Sequence, residues 1–217
     1  MLVGERMTKP VITVSPEMPI QEALAQMHRE KIRRFPVVDE HGKLVGIVSE
    51  KDLLNASPSE ATSLSVFEIN YLLSKITVER VMTKDVITID DDCPIEEAAR
   101  IMADKKIGSL PVIRGGKLVG IITETDLFKV FLELFGARIP GVRLTVLVPD
   151  VVGQLAELSS TISNLGGNII SIGSYLGEDP TTSLVTLKVG RVSLEALQKA
   201  VEPVVKRIVD IREMGAV

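Results

Sequence analysis

The chain has 217 residues, 45% hydrophobic but only 3% aromatic, so it can bury substantial cores that are aliphatic and methionine-filled. A net charge of −4 counts against general nucleic-acid binding, and a single cysteine, Cys93, excludes an internal disulfide framework and suits a reducing compartment. Met1–Arg6 lacks the apolar region of a signal peptide and no apolar run approaches the ~18 residues of a membrane span, so a soluble, cytoplasmic protein with no membrane partner is expected.

Val11–Val14 is β-rich and predicts a short strand, ended by Ser15-Pro16. Ile20, Ala23, Leu24 and Met27 recur at the spacing of one helical face, and Pro19 suits the first turn. Phe35–Val38, a turn around Gly42 and Leu44–Val48 predict a hairpin. Within Leu44–Leu53 an apolar strand containing Gly46 runs into Ser49, two polar residues and Asp52, near which a helix begins. Residues 55–64 form a polar connection, and Ser65-Val66-Phe67-Glu68 has capping-box spacing, predicting a helix to Leu73.

The same features then return. Met82–Ile89 repeats Met7–Val14, and Ile95, Ala98, Ala99 and Met102 repeat the helical stripe. Ile107–Ile113 repeats Ile32–Val38, and Leu118–Leu127 repeats Leu44–Leu53 with Gly120, Thr123 and Asp126. The offset is 75 residues up to the hairpin turn and 74 after it, which is a duplication with one loop deletion. Each unit reads β-α-β-β followed by a helix.

Phe128, Phe131 and Phe135 follow on one side of the next helix. They either pack within their own domain or anchor a subunit or interdomain interface. Gly136 ends that helix, and Pro140-Gly141 marks a boundary. Beyond it come a strand (Leu144–Val148), a turn (149–153), and a helix carrying Leu155, Leu158, Ile162 and Leu165, closed by Gly166-Gly167-Asn168. Strands Ile169–Ser174 and Ser183–Val189, a helix with Leu194, Leu197, Val201 and Val204, and a strand Arg207–Ile211 complete a βαββαβ order. That order closes into a ferredoxin-like sheet with two helices on one face. The fold class is therefore α/β of the α+β kind.

Catalytic groups are sparse. His28 falls on the polar side of a helix and His41 in a turn, and neither has a nucleophile or metal partner at a recognisable spacing. Cys93 beside Pro94 reads as a helix-start residue, and Asp90-Asp91-Asp92 as a solvated turn. Gly115-Gly116-Lys117 lacks P-loop spacing, and no zinc pattern occurs. No enzyme, metal or catalytic cofactor is expected. Binding is better supplied. Ser49 and Thr123, at strand-to-helix junctions, suit a phosphate, and Asp52 and Asp126 can accept hydrogen bonds from a ribose diol. The same four residues read equally well as N-caps and first-turn supports.

The doubled pattern of strand, Gly, hydroxyl residue, two variable residues and Asp, with its Met-Thr-Lys start and Pro-Val hairpin, resembles the CBS domain over about Met1–Phe135. The resemblance implies two β-α-β-β-α units packed about a pseudo-two-fold, a Bateman module, with two clefts for an adenine nucleotide or relative: AMP, ATP or S-adenosylmethionine. It implies ribose contacts from Asp52 and Asp126, phosphate contacts from Ser49 and Thr123, and adenine against Ile12, Thr13, Ile87, Thr88, Pro36 and Pro111. Clefts built from the first strand of one unit and the Asp of the other pair Thr13 with Asp126 and Thr88 with Asp52. Arg33-Arg34 stand where the second unit has Gly108-Ser109. The cleft reached by Arg34 is therefore expected to prefer the more phosphorylated ligand.

The C-terminal part is similar to an ACT domain in its βαββαβ order, with Asp150 and Gly153 in the first turn and Gly167-Asn168 before the second strand. This implies side-by-side pairing and amino-acid contacts at Asp150, Gly153 and Asn168. The expected boundaries are 1–60 and 77–135 for the CBS units, 61–76 for a linker and helix, 136–141 for a second linker, and 142–217 for the ACT domain. Two CBS units followed by one ACT domain resemble the bacterial acetoin-utilisation CBS–ACT proteins. That likeness implies a non-enzymatic homodimer, joined through both domain types, that senses adenine nucleotide and regulates a partner enzyme in acetoin or related carbon metabolism. The alternative is amino-acid sensing through the ACT domain, with a structural CBS pair.

Overall fold

The computed structural model describes residues 1–56 and 75–215, so the helix expected from Ser65 to Leu73 lies outside the described residues. The chain divides into two compact units, Met1–Leu127 and Phe128–Val217, at a point ahead of the 136–141 connection.

The first unit holds α1 (Val3–Arg6), α2 (Ile20–Glu30), β1 (Arg34–Val38), β2 (Leu44–Ser49) and α3 (Glu50–Asn55). It continues through α4 (Val78–Val81), β3 (Ile89–Asp90), α5 (Ile95–Lys105), β4 (Ser109–Arg114) and β5 (Lys117–Thr123) into α6 (Glu124–Leu134), which spans the division. Pro19 and Pro94 precede the first turns of α2 and α5, where a missing N–H costs nothing. Each helix buries one apolar stripe: Ile20, Ala23 and Met27 in α2, and Ile95, Ala98 and Met102 in α5. Leu24 is half-buried and Ala99 is exposed. Both helices end on a lysine in the left-handed conformation, Lys31 and Lys106, each with φ 54°.

The first strand of each unit is shorter than the sequence predicts. Residues 11–13 form no strand, Val14 makes a single bridge to Val37, and in the second copy only Ile89–Asp90 pair, in parallel, with Val112 and Ile113. The backbone upstream is spent elsewhere. Thr8 N donates to Ile121 O at 2.9 Å and Ile121 N returns to Thr8 O at 3.2 Å. Thr83 and Ile47 exchange the same two bonds at 2.9 and 3.0 Å. Each lead segment thus crosses to the signature strand of the other copy before returning to its own. The glycines of those strands make the crossing possible. A Cβ at Gly120 would lie 2.4 Å from Met7 Sδ, and one at Gly46 would lie 2.4 Å from Met82 Sδ. The repeated Gly and the repeated Met-Thr-Lys are therefore two halves of one contact.

In the second unit β6 (Gly141–Pro149), α7 (Gln154–Asn164), β7 (Asn168–Leu176), β8 (Thr182–Gly190), α8 (Leu194–Val201) and β9 (Arg207–Met214) follow in βαββαβ order. The sheet is antiparallel with strand order β7-β8-β6-β9, a ferredoxin-like arrangement. Alternate residues of β6 and β8, including Leu144, Val146, Val185 and Leu187, form the core with Leu158, Ile162, Leu197 and Val201 of the helices.

The stripe expected along α7 is shifted. Leu158 and Ile162 are buried, but Leu155 and Leu165 are exposed and Gln154 is buried in the first turn. Its Nε2 donates to Val204 O at 3.0 Å, which satisfies the burial of an amide. Thr145 and Thr186 bond hydroxyl to hydroxyl at 2.9 Å, and Tyr175 reaches Thr186 at 2.5 Å. Buried Lys188 donates from Nζ to Gly136 O at 2.8 Å, just past the end of α6. The phenylalanine row splits: Phe135 lies 3.2 Å from where a Cβ on Gly173 would sit, while Phe128 and Phe131 are 69% and 54% exposed.

Candidate functional site

Both strand-to-helix junctions form the reciprocal cap that the repeat suggested. Ser49 donates to Asp52 Oδ2 from its N at 2.9 Å and its Oγ at 2.6 Å, and Asp52 N donates back to Ser49 Oγ at 3.3 Å. Thr123 and Asp126 repeat this at 3.0, 2.8 and 3.4 Å. The cap also sets how the two hydroxyls, implied to contact phosphate, present themselves. Each hydroxyl hydrogen is committed to its own aspartate, so the oxygen faces a ligand only as an acceptor, as a phosphate oxygen also does. With the cap formed, Asp52 Oδ2 is taken up by Ser49, and Asp126 Oδ2 by Thr123.

Asp52 borders a cavity of about 470 Å³, within the range of small-molecule sites. Its walls come from both copies. Ser49 and Asp52 belong to the first, and Ile87, Ser109 and Pro111 to the second. Arg34 also lines it, half-buried, with Nη1 donating to Gly108 O at 3.2 Å. A Cβ at Gly108 would fall 2.5 Å from Arg34 Nη2 and 2.7 Å from Glu124 Oε2. The contrast between Arg33-Arg34 and Gly108-Ser109 is thus one packing device, a guanidinium laid over a glycine. Thr88, expected beside Asp52, is exposed and does not line this cavity, although its neighbour Ile87 does. On the pseudo-symmetric side Asp126 and Pro36 are buried, and Ile12, Thr13 and Thr123 are half-buried; none of these lines the cavity.

Thr83, Asp85 and Lys106 are among the lining residues that escaped the sequence reading. Asp85 carried a signal, because it replaces Pro10 in the repeat. Lys106 repeats Lys31 at the 75-residue offset, but a lysine near a helix C-terminus is ordinary, and the left-handed end of α5 gives it this place.

The residues expected to hold an amino acid are not brought together within one chain. Asp150 follows β6 and donates its N–H to Thr181 O at 2.9 Å, Gly153 precedes α7, and Asn168 opens β7 opposite Gly190. Pro149 pairs with Thr182 while Ile169 pairs with Val189 on the same strand β8. That separation is roughly 20 Å along the sheet.

His28 Nε2 lies 3.1 Å from Glu50 Oε1 on the surface, and His41 is exposed. Cys93 accepts the Val3 N–H on its carbonyl at 2.9 Å. Asp91 is held by Arg114, whose hydrogen bond keeps the Asp91 carboxyl below its usual pKa. Among the described residues no His, Cys, Asp and Glu cluster is arranged for a metal ion, and no helix is long and apolar enough to cross a membrane.

The sequence profile of the CBS domain matches residues 3–59 and 78–133. A CBS domain-containing protein of Dictyostelium discoideum is 31% identical over 134 residues, which are 61% of this chain and 92% of that protein. An L-aspartate semialdehyde sulfurtransferase of Methanocaldococcus jannaschii is 34% identical over 131 residues, but these span only 23% of its length. Among solved structures, a CBS domain pair in complex with 5′-methylthioadenosine and S-adenosyl-L-methionine superposes with TM-score 0.51 and 33% identity, covering 60% of this chain and 95% of that one. A putative acetoin utilization protein (AcuB) from Vibrio cholerae gives TM-score 0.53 and 33% identity, covering 63% and 93%. A CBSX2 structure in complex with AMP gives 0.51 and 31%, covering 61% and 97%.

Proposed function

Because the chain belongs to the CBS-domain family, we propose that its CBS pair binds an adenosine-containing ligand, AMP, ATP or S-adenosylmethionine, and that the protein is a regulator rather than an enzyme. The observation that carries this reading is the cavity of about 470 Å³ in which Asp52 of one copy meets Ile87 and Pro111 of the other. Two solved relatives that hold adenosine compounds support it. In this reading Asp52 takes the ribose, Ile87 and Pro111 flank the base with Thr88 outside the cavity wall, and Arg34 adds a charge-assisted contact to phosphate. Asp126, with Ile12, Thr13, Pro36 and Thr123, serves the second cleft. Such a ligand signals only by binding two conformations unequally.

The likeness to AcuB supports a role in acetoin or related carbon metabolism, exerted on a partner enzyme. The ferredoxin-like topology supports an ACT-type second domain that pairs in a homodimer, and the exposed Phe128 and Phe131 suit a subunit interface. Amino-acid sensing through Asp150, Gly153 and Asn168 requires a second copy, because one chain keeps them at opposite ends of its sheet.

Calorimetry of the protein and of Asp52→Ala with AMP, ATP, S-adenosylmethionine and the amino acids tests the reading. Loss of the ribose acceptor is expected to weaken adenosine ligands by about tenfold or more. Unchanged affinity for every one of them refutes it.

A further inference from the structure

We propose that the cavity beside Asp52 selects its adenosine ligand by charge, and that Lys106 is the residue that reads the phosphates. The proposal rests on the adenosine reading above and adds which member of the class the cavity takes: a phosphorylated one, in preference to neutral 5′-methylthioadenosine or cationic S-adenosylmethionine.

The first support is negative. The Ser49 hydroxyl donates to Asp52 Oδ2, so it has no hydrogen for a phosphate oxygen. Two amides of the first turn of α3 are also engaged, Glu50 N with Arg33 O at 2.9 Å and Asp52 N with Ser49 Oγ at 3.3 Å. The junction holds itself together and leaves little for an anion.

The second support is the charge on the walls. Arg33, Arg34, Lys51 and Lys106 line the cavity, against Glu50, Asp52 and Asp85 in the opposite sense, with Glu124 Oε2 close by Arg34 at Gly108. Asp52 is occupied by the cap, and Glu50 lies against His28. None of the four cations makes an ion pair with a carboxylate among the described residues. Arg34 already donates one N–H to the Gly108 carbonyl, which ties it to the second copy. Lys106 is different. Its backbone closes α5 in the left-handed conformation, φ 54° and ψ 41°, with its N–H shared between Ala103 O and Met102 O. Gly or Asn fills such a turn at less cost than lysine, so the turn itself gives no reason for the ammonium. The ammonium belongs to the copy that supplies Ile87 and Pro111, while Asp52 comes from the other. A ligand whose ribose is held at Asp52 therefore has a cation of the second copy available for its phosphates.

The test is calorimetry with ATP, AMP, 5′-methylthioadenosine and S-adenosylmethionine on three proteins: unaltered, Lys106→Asn and Lys106→Arg. Asn removes the charge yet suits the left-handed turn, and Arg keeps the charge. Unaltered protein is expected to bind ATP more tightly than AMP, and AMP more tightly than the two unphosphorylated compounds. Lys106→Asn is expected to lose roughly five- to twentyfold for ATP and less than about twofold for 5′-methylthioadenosine, with Lys106→Arg near the unaltered protein. Raising salt from about 0.05 to 0.3 M narrows the preference for ATP. Equal losses for ATP and 5′-methylthioadenosine, an unchanged ATP affinity, or S-adenosylmethionine binding as tightly as ATP overturns the charge proposal alone. Failure of all four compounds to bind the unaltered protein overturns the adenosine reading, and this proposal with it.

Discussion

Replacing Gly120 by alanine adds one methyl group to the place where the two copies exchange their lead segments. The added Cβ would stand 2.4 Å from Met7 Sδ, 2.9 Å from Met7 Cγ and 3.1 Å from the Thr8 carbonyl oxygen. Alanine in a strand interior gains about 0.5–1 kcal/mol over glycine, because the unfolded chain has less freedom to lose. Overpacking a filled site costs about 1–3 kcal/mol. The thioether can swing aside, but the Thr8 carbonyl cannot retreat without lengthening its 3.2 Å bond from Ile121 N. The net expectation is about 1–2 kcal/mol of destabilisation. Gly46→Ala is milder, because its three nearest atoms all belong to the flexible Met82 side chain. Urea unfolding followed by circular dichroism, with any separate transition of the second unit fitted separately, measures both. A double-mutant cycle sharpens the comparison. Met82→Ala is expected to suppress most of the Gly46→Ala defect, whereas Met7→Ala relieves Gly120→Ala only in part. A Gly120→Ala protein as stable as the original, or strict additivity in both cycles, refutes the crossing as the reason for these glycines.

Gln154→Ala leaves the Val204 carbonyl without its buried donor and is expected to cost about 1–3 kcal/mol, read as a lower urea midpoint at unchanged slope; an unchanged midpoint counts against that bond. The Asp210 carboxyl is held below its usual pKa chiefly by the Arg212 hydrogen bond, with Arg143 adding to it. A carboxyl lowered in the folded state contributes stability that is fully present above the unfolded pKa of about 3.9 and is lost as pH falls through the lower folded value. Asp210→Asn is therefore expected to be less stable than the original at pH 6, with the gap closing towards pH 2. A gap independent of pH excludes this linkage.

Much of the fold was legible because its signals are local and periodic. The stripes Ile20, Ala23, Met27 and Ile95, Ala98, Met102 needed only the 3.6-residue period, and the hairpins needed alternation and a turn. The short first strands were not legible, because partner choice decided them. The segment upstream of Val11–Val14 pairs with the other copy, a contact more than 100 residues away that no propensity encodes. Gln154 misled for a similar reason: its burial depends on a carbonyl of Val204, 50 residues on. At the site, the sequence identified Ser49 and Asp52 but left their capping and ligand roles open. The structure forms the cap through a hydroxyl direction that spacing does not contain. Lys106 stayed invisible because its place comes from a backbone turn rather than from its neighbours in sequence.

The crossing of the lead segments also protects the sheets. In the order β3-β4-β5 the outer strand β5 would present an open edge, and Thr8 covers it; Thr83 does the same for β2. Proteolytic trimming of residues 1–8 would therefore do more than shorten the chain. It would strip Met7 from Gly120 and bare the Ile121 backbone, turning a covered margin into a template that a neighbouring molecule can extend.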